Sequence, residues 1–375
     1  MNVAALSVLF LVATLAGFAK PENKRITVCL FVVAWVLMCL NMGNPDYEGY
    51  EARYYAFDQP WVAEITPSGF LFLTELGNSL GLNFFSFRLL MCTASLLLVF
   101  TTVVEFSAGP NIALSVYLLS SFMLDVVQFR FFFASAVAFW SLRFLARENN
   151  FKNNILFLVS LLLASTIHPV VLVYLLFYGT RFDVKLVKRF SIAASAVILF
   201  LLYSGVAQSL APLIVGELRA ERYFYALSKV GYLPYAAIAL VPIIFNLRIG
   251  DSFFMESARP ALEQGVHFAK RCKGIDWIKF IRVACFCMLP VLCTLILRPE
   301  EFFRPVRLLI IALVMPLTTV YTQTTVYTQD SKIEKKGKIK YASLAAVWLL
   351  LSFMFCYRDY FGSVIVQLFE NNLLL

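Results

Sequence analysis

The chain has 375 residues, of which 61% are hydrophobic and only 15% charged, and its mean hydropathy is +0.78. A soluble globular domain carries about 45–50% apolar and about 25% charged residues, so the composition excludes one and indicates an integral membrane protein. The net charge of +9 comes mostly from short loops between apolar runs; it calls for no nucleic-acid partner and supplies a topology signal instead.

In chain order, Met1–Ala19 lacks a basic leader and a convincing small-residue cleavage site, and reads as a retained first helix. Ile26–Met42 is long enough to cross a bilayer and releases the chain into Asn44-Pro45-Asp46-Tyr47-Glu48-Gly49-Tyr50, an acidic, aromatic loop at a membrane face. Trp61–Leu82 carries Glu64, Pro67, Gly69, Glu75, Gly77 and Asn78, with Phe70, Leu73 and Leu76 at helical spacing. That pattern predicts an amphipathic helix lying in the interface. Further spans are predicted at Phe84–Val104, Ile112–Val127, Phe131–Leu145, Ile155–Tyr178, Ser191–Val206, Leu233–Leu247, Val283–Leu297, Leu308–Thr325 and Tyr341–Cys356. The long polar insertion Arg248–Lys279 reads as one or two amphipathic surface helices. No repeat and no soluble domain is visible, so residues 1–375 read as a single polytopic transmembrane domain. The 37 phenylalanines and 17 tyrosines suit a helical bundle with aromatic belts rather than a β-barrel. Cys29, Cys39, Cys92, Cys272, Cys285, Cys287, Cys293 and Cys356 are scattered through apolar runs as small hydrophobes, without disulfide or metal spacing. The expected fold is an all-α integral membrane protein, a polytopic bundle of about 11–12 spans.

Charge sets the topology. With Lys20–Arg25 cytoplasmic, the Asp46 loop lies outside. If Ile155–Tyr178 crosses once, the basic clusters Arg181–Arg189, Arg248–Arg282 and Lys332–Lys340 all fall outside. If it breaks at His168-Pro169 and returns as a hairpin, all three fall inside with most of the 32 basic residues. The positive-inside bias favours the hairpin, and a proline removes a backbone donor and restricts the residue before it.

That topology gathers Asp46, Tyr47, Tyr50, Arg53, Glu64, Asp125, Gln128, Arg130, His168, Arg219, Glu221, Arg222, Tyr223, Tyr225, Arg298, Glu300, Glu301, Arg304 and Arg307 at the outer face. Boundary charges cost a few kcal/mol on insertion scales and tend to mark a site. Guanidinium groups bind phosphate oxygens bidentately, and a carboxylate among tyrosines can deprotonate an acceptor hydroxyl. Together they suit a lipid-pyrophosphate glycan. Plainer readings stand beside this one. Arg130 could anchor a tightly packed helix, and His168 could satisfy carbonyls freed by Pro169. One of Arg298, Arg304 and Arg307 could pair with Glu300 or Glu301, and Asp46 could serve an Asx-type turn. Lys332–Lys340 reads as a cytoplasmic topology signal.

Three stretches resemble the EpsG family of exopolysaccharide and capsule polymerases, which are Wzy-like. They are Asn44-Pro45-Asp46-Tyr47-x-x-Tyr50 followed by Glu64-x-x-Pro67-Ser68-Gly69-Phe70, then Asp125-x-x-Gln128-x-Arg130-x-x-x-Ala134, then Ala164-x-x-x-His168. Their order and spacing match over roughly residues 40–180, and the C-terminal half matches loosely through Arg222-Tyr223 and the Arg304/Arg307 region. Thr66-Pro67-Ser68-Gly69 departs from the Glu-Pro-Gly of the family pattern, which leaves the role of Glu64 open. The resemblance implies a GT-C-like, multi-pass glycosyltransferase of the bacterial cytoplasmic (inner) membrane, with its site facing the periplasm or exterior. It would polymerise oligosaccharide repeat units of an O-antigen, capsule or exopolysaccharide. Both donor and acceptor glycans would be linked to undecaprenyl pyrophosphate. Asp46 would be the base, with His168 orienting a sugar or phosphate. Arg130, Arg222, Arg304 and Arg307 would hold pyrophosphate, and Tyr47, Tyr50, Glu64, Gln128, Tyr223 and Arg298 would complete the substrate site. No cofactor, metal or nucleotide sugar is expected. Membrane lipids and a chain-length regulator protein are the other implied partners.

Two competing readings remain. A GT-C transferase using a polyprenyl-phosphate sugar donor shares the chemistry but needs fewer arginines. A transporter or flippase of lipid-linked sugars would show repeats and polar residues near the midplane. Here the polar residues concentrate at one face.

Overall fold

Asparagine or aspartate side chains cap four of the described helices, each where polar punctuation precedes an apolar run. In the computed structural model, which describes residues 3–224, 231–244, 246–247, 277–297, 302–327 and 361–374, α1 (Val3–Ala19) leads to α2 (Lys24–Cys39). Asn23 Oδ1 accepts from Arg25 N (2.9 Å) at the start of α2. Asn83 caps α6 (Phe84–Phe106), Asn150 caps α10 (Phe151–Ile167) and Asp183 caps α11 (Val184–Tyr203) in the same way. Each cap satisfies a donor that the first helical turn cannot pair. Between α2 and α6 come α3 (Tyr47–Tyr55), α4 (Pro60–Ile65) and α5 (Ser68–Ser79). After α6 come α7 (Pro110–Ser120), α8 (Phe122–Val127) and α9 (Phe129–Ala146). Beyond α11 lie α12 (Val206–Val215), α13 (Glu217–Phe224), α14 (Leu233–Ile244), α15 (Trp277–Cys293) and α16 (Val306–Tyr327). No β-strand occurs among the described residues. By length and composition α6, α9 and α11 can each cross a membrane. The chain is an all-α, polytopic membrane protein.

Helix α9 is the hub. It packs on α6, α10 and α16, and Ala134, Ser135, Ala138 and Ser141 are buried along it. Small residues let helix backbones approach closely where water offers no drive. Its two ends define the two ends of the bundle, about 20 Å apart from Arg130 to Arg143 at helical rise. At the far end Glu105 pairs with Arg143 and Arg147, both at 3.1 Å. Asn111 Nδ2 donates to Lys20 O (2.7 Å) there, tying the α1–α2 turn to the same end.

The hairpin is formed as the charge distribution predicts. α10 climbs to His168, and Pro169–Arg181 returns as a 3₁₀ helix. Arg181 closes it: its Nε donates to Asn154 Oδ1 (2.9 Å) and its Nη2 to Phe144 O (2.8 Å). The segment therefore ends beside its own beginning. At about 2 Å per residue, this 13-residue 3₁₀ arm spans about 26 Å.

Two predicted elements divide in ways the apolar pattern did not indicate. The interfacial segment is two helices, because Thr66 is extended (ψ 126°) before Pro67 and α5 begins afresh. Gly69 then lets α5 press on Thr166 of α10, where a Cβ would collide. Ile112–Val127 is also two helices, broken at Ser121. Its second part turns Asp125 inward to accept from Tyr117 Oη (3.2 Å). Of the other predictions, Tyr341–Cys356 and Lys332–Lys340 lie outside the described residues, as does nearly all of Arg248–Lys279.

The C-terminal residues strap the C-terminal end of α2. Met42 N donates to Asn371 O (2.8 Å) and Leu373 N to Leu40 O (2.9 Å). Asn372 Nδ2 donates to Val36 O (2.9 Å), and Asn371 Nδ2 to Gly43 O (3.0 Å). Buried Arg88 completes the cap through Met38 O (2.7 Å) and Asn41 O (2.8 Å). The carbonyls that α2 leaves unpaired are thus taken up by the tail and one guanidinium. Removing residues 368–375 should loosen the loop that follows α2. The check is faster amide exchange at Met42 and Asn44 in the truncated chain; unchanged exchange would deny the strap any such hold.

Candidate functional site

Asparagines build the loop that carries Asp46. Asn44 Nδ2 donates to Asn41 Oδ1 (3.2 Å), and Asn44 Oδ1 accepts from Asp46 N (3.2 Å). Asn44 therefore makes the Asx turn. Asp46 occupies the N-cap position of α3, but its side chain makes no capping hydrogen bond. The carboxylate is half-buried and its charge acts on both Tyr50 and Arg130.

Tyr50 follows one helical turn later, its N–H bonded to Asp46 O (3.0 Å). The Arg53 guanidinium carbon lies 4.9 Å from the Tyr50 ring centre, and that of Arg130 lies 6.0 Å from it. Arg130 also sits 5.5 Å from the Phe70 ring. Burial pushes the Tyr50 phenol above its ordinary value; Arg130 opposes this, Asp46 adds to it, and Arg53 and Arg304 oppose it more weakly. Tyr50 is thus a wall between one carboxylate and several guanidinium groups. Tyr47 is buried instead, edge-on to Phe84 at 5.1 Å and 5.5 Å from the Arg88 guanidinium.

The Asp125-x-x-Gln128-x-Arg130 pattern sits at the corner between α8 and α9. Arg307, from the start of α16, donates to Asp125 Oδ1 (3.0 Å) and to Gln128 Oε1. Its guanidinium carbon is 5.4 Å from the Phe131 ring, and Phe131 meets His168 edge-to-face at 5.2 Å. The charges of Arg130, Arg304 and Arg307 all act on His168. Asp125 and Arg307 are almost fully buried. Removing one partner of such a pair leaves an uncompensated charge and costs about 3–5 kcal/mol. Arg307→Met should therefore lower the melting temperature in detergent by several degrees. An unchanged melting temperature would show the pair to be dispensable to the fold.

A cavity of about 1700 Å³ opens beside this cluster. Arg130, His168, Arg304 and Glu64 line one end, together with Thr66 and Pro67. Arg130 Nε and His168 Nδ1 are buried without a hydrogen-bond partner among the described residues. Asp46 and Tyr50 adjoin the lining through Arg130, while Gln128 and Arg307 stand behind it. Arg222 and Tyr223 lie on α13 next to Phe224, which lines the cavity, but their side chains are outside the described residues. Arg298 is outside them altogether. Arg53, Phe70 and Phe131 join the cluster without having been singled out as site residues. Arg53 gave a signal as an arginine expected on the outer side, and Phe70 as the end of the Glu64–Phe70 stretch; Phe131 gave none. Among the described residues no group of three or more His, Cys, Asp or Glu could hold a metal ion.

A family model described as the EpsG family matches residues 24–329 of the chain. That range includes every candidate site residue and leaves out α1 and the C-terminal strap. No curated protein and no solved structure matches.

Proposed function

The chain belongs to the EpsG family, and from that premise we propose that it polymerises repeat units carried on undecaprenyl pyrophosphate at the outer face of the bacterial cytoplasmic membrane. At family level it is a Wzy-like polysaccharide polymerase. The observation that carries the finer reading is the meeting of Arg130, His168 and Arg304 at the polar end of a largely apolar cavity, with Tyr50 and Asp46 adjoining. Residues from four separated stretches converge there.

In this reading Asp46 accepts the proton of an acceptor hydroxyl as its oxygen bonds to the anomeric carbon of the donor glycan. The bond from that carbon to the pyrophosphate oxygen breaks, and undecaprenyl pyrophosphate leaves with the electron pair. Arg130 and Arg304 stabilise the charge that grows on the leaving group. His168 orients the phosphate or the first sugar, and the Arg307–Asp125–Gln128 group holds His168 and Phe131 in place from behind. A chain-length regulator and the lipid-linked acceptor would be its partners.

The lipid-linked oligosaccharide that accumulates on deletion of the gene tests the reaction. A complete single repeat unit on its lipid supports polymerisation. A unit lacking one sugar would support the polyprenyl-phosphate sugar transferase instead, and units trapped in the cytoplasm would support the flippase. Orientation has its own test: single cysteines at Asp46 and His168 should react with an impermeant thiol reagent from outside, and cysteine at Lys185 should not. Labelling of Lys185 and Asp46 from the same side would overturn the outer-face assignment.

A further inference from the structure

The cavity is much longer than its polar end. α15 packs extensively on both the 3₁₀ arm and α11, and no comparable contact joins the arm to α11. The two are consecutive in the chain yet stand apart, leaving a cleft with α15 as its floor. Each wall presents one regular stripe to it. On the arm the lining residues Val170, Val173, Leu176 and Gly179 recur every third position, the period at which 3₁₀ side chains eclipse. On α11 Leu186, Phe190, Ala194 and Ile198 recur every fourth. Cys287, Pro290 and Val291 come from the floor, and Thr294 from the turn that follows it. At the two helical rises, both stripes run about 18 Å.

The cleft has a polar end and a closed end. Arg130, His168 and Arg304 sit where the arm begins. At the other end the walls converge, since a Cβ on Gly179 would lie 3.2 Å from Cys287 Sγ and 3.5 Å from Val187. Along its side Leu175, Leu186 and Phe190 are exposed, so the rim of the cleft is apolar. Two cationic groups and a buried unpartnered imidazole nitrogen at the head of a narrow apolar trough fit a single unbranched-backbone hydrocarbon chain bearing an anionic head.

We infer that the cleft between the 3₁₀ arm and α11 holds the head-proximal isoprenes of the lipid donor, with its pyrophosphate at Arg130, His168 and Arg304. This rests on the polymerase reading above, and it adds where the tail lies. The donor enters sideways from the bilayer, and the leaving polyprenyl pyrophosphate departs by the same opening.

Ala194→Trp tests it. Ala194 is half-buried in the middle of the stripe, so a tryptophan would fill open cleft and displace no packed neighbour. The purified full chain in detergent is melted with geranyl, farnesyl and undecaprenyl pyrophosphate, with undecaprenyl phosphate, and with phosphatidylglycerol. In the wild type, stabilisation should grow with tail length at constant head group. Ala194→Trp should keep the geranyl response and bind undecaprenyl pyrophosphate about tenfold more weakly, the equivalent of about two buried methylenes. Val173→Trp, from the opposite wall, should do the same; it carries the test should the first variant fail to fold. Equal gains with tail length in wild type and both variants would place the tail elsewhere while leaving the pyrophosphate site standing. Phosphatidylglycerol matching undecaprenyl pyrophosphate in the wild type would make the cleft an ordinary lipid groove and overturn the inference. Undecaprenyl phosphate matching the pyrophosphate, with loss in both variants, would keep the cleft and overturn the polymerase reading instead. No response to any prenyl ligand would overturn both.

Discussion

Asp46→Asn should give a folded protein that no longer extends polysaccharide. Asparagine keeps the side-chain shape but cannot take a proton from an acceptor hydroxyl, and general-base catalysis is worth about 10²–10⁴-fold. The local geometry argues that stability will hold. The turn after α2 is made by Asn44, whose Oδ1 accepts from Asp46 N at 3.2 Å, and the Asp46 side chain does not cap α3. The check is the length distribution of cell-surface polysaccharide alongside the melting temperature of the purified variant. Asn44→Ala is the useful contrast, since it removes the turn while leaving the base and should lower the melting temperature. Full-length polymer from Asp46→Asn would remove Asp46 from the chemistry and leave it a polar residue at the start of a helix.

How far the sequence reveals this arrangement depends on the range of the interaction concerned. The hairpin is legible because two local signals agree: a proline in mid-run, and basic clusters that only a return stroke can place on the same side as Lys20–Arg25. The structure adds the closing contact, Arg181 on Asn154, between residues flanking that same run. The Asp125-Gln128-Arg130 spacing is legible as a polar helix start, but its division of labour is not. Asp125 and Gln128 bind Arg307, 182 and 179 residues away, while Arg130 faces the cavity. No periodicity encodes a partner so distant. The break at Ser121 lacks the glycine or proline that announces the one at Pro67; it becomes intelligible only once Asp125 is seen turning inward to Tyr117 and Arg307. The strap from Asn371 and Asn372 to α2 is illegible for the same reason, since two asparagines near a chain end resemble any polar tail. The stripe along the 3₁₀ arm is hidden differently: its period of three is visible only after the backbone is known to be 3₁₀.

Arg130→Lys separates a phosphate ligand from a helix anchor. Lysine keeps the charge, can still lie over the Tyr50 and Phe70 rings, and can reach the interface as well as arginine. If Arg130 only anchors α9, the change should be nearly silent. It loses the planar fork that meets two phosphate oxygens at once. A hydrogen bond to a charged group contributes about 1.5–3 kcal/mol, so loss of one such contact should weaken undecaprenyl pyrophosphate binding by about tenfold to a hundredfold. The melting temperature without ligand should stay close to wild type, because Arg130 Nε has no hydrogen-bond partner to lose among the described residues. The stabilisation by undecaprenyl pyrophosphate should shrink in proportion to the lost affinity, as mass action on the folded state requires. Arg304→Lys, at the same end of the cavity, should behave alike, whereas Arg307→Met should act on stability first, through its buried partner. Equal ligand-induced shifts in wild type, Arg130→Lys and Arg304→Lys would mean that these arginines do not form the pyrophosphate site.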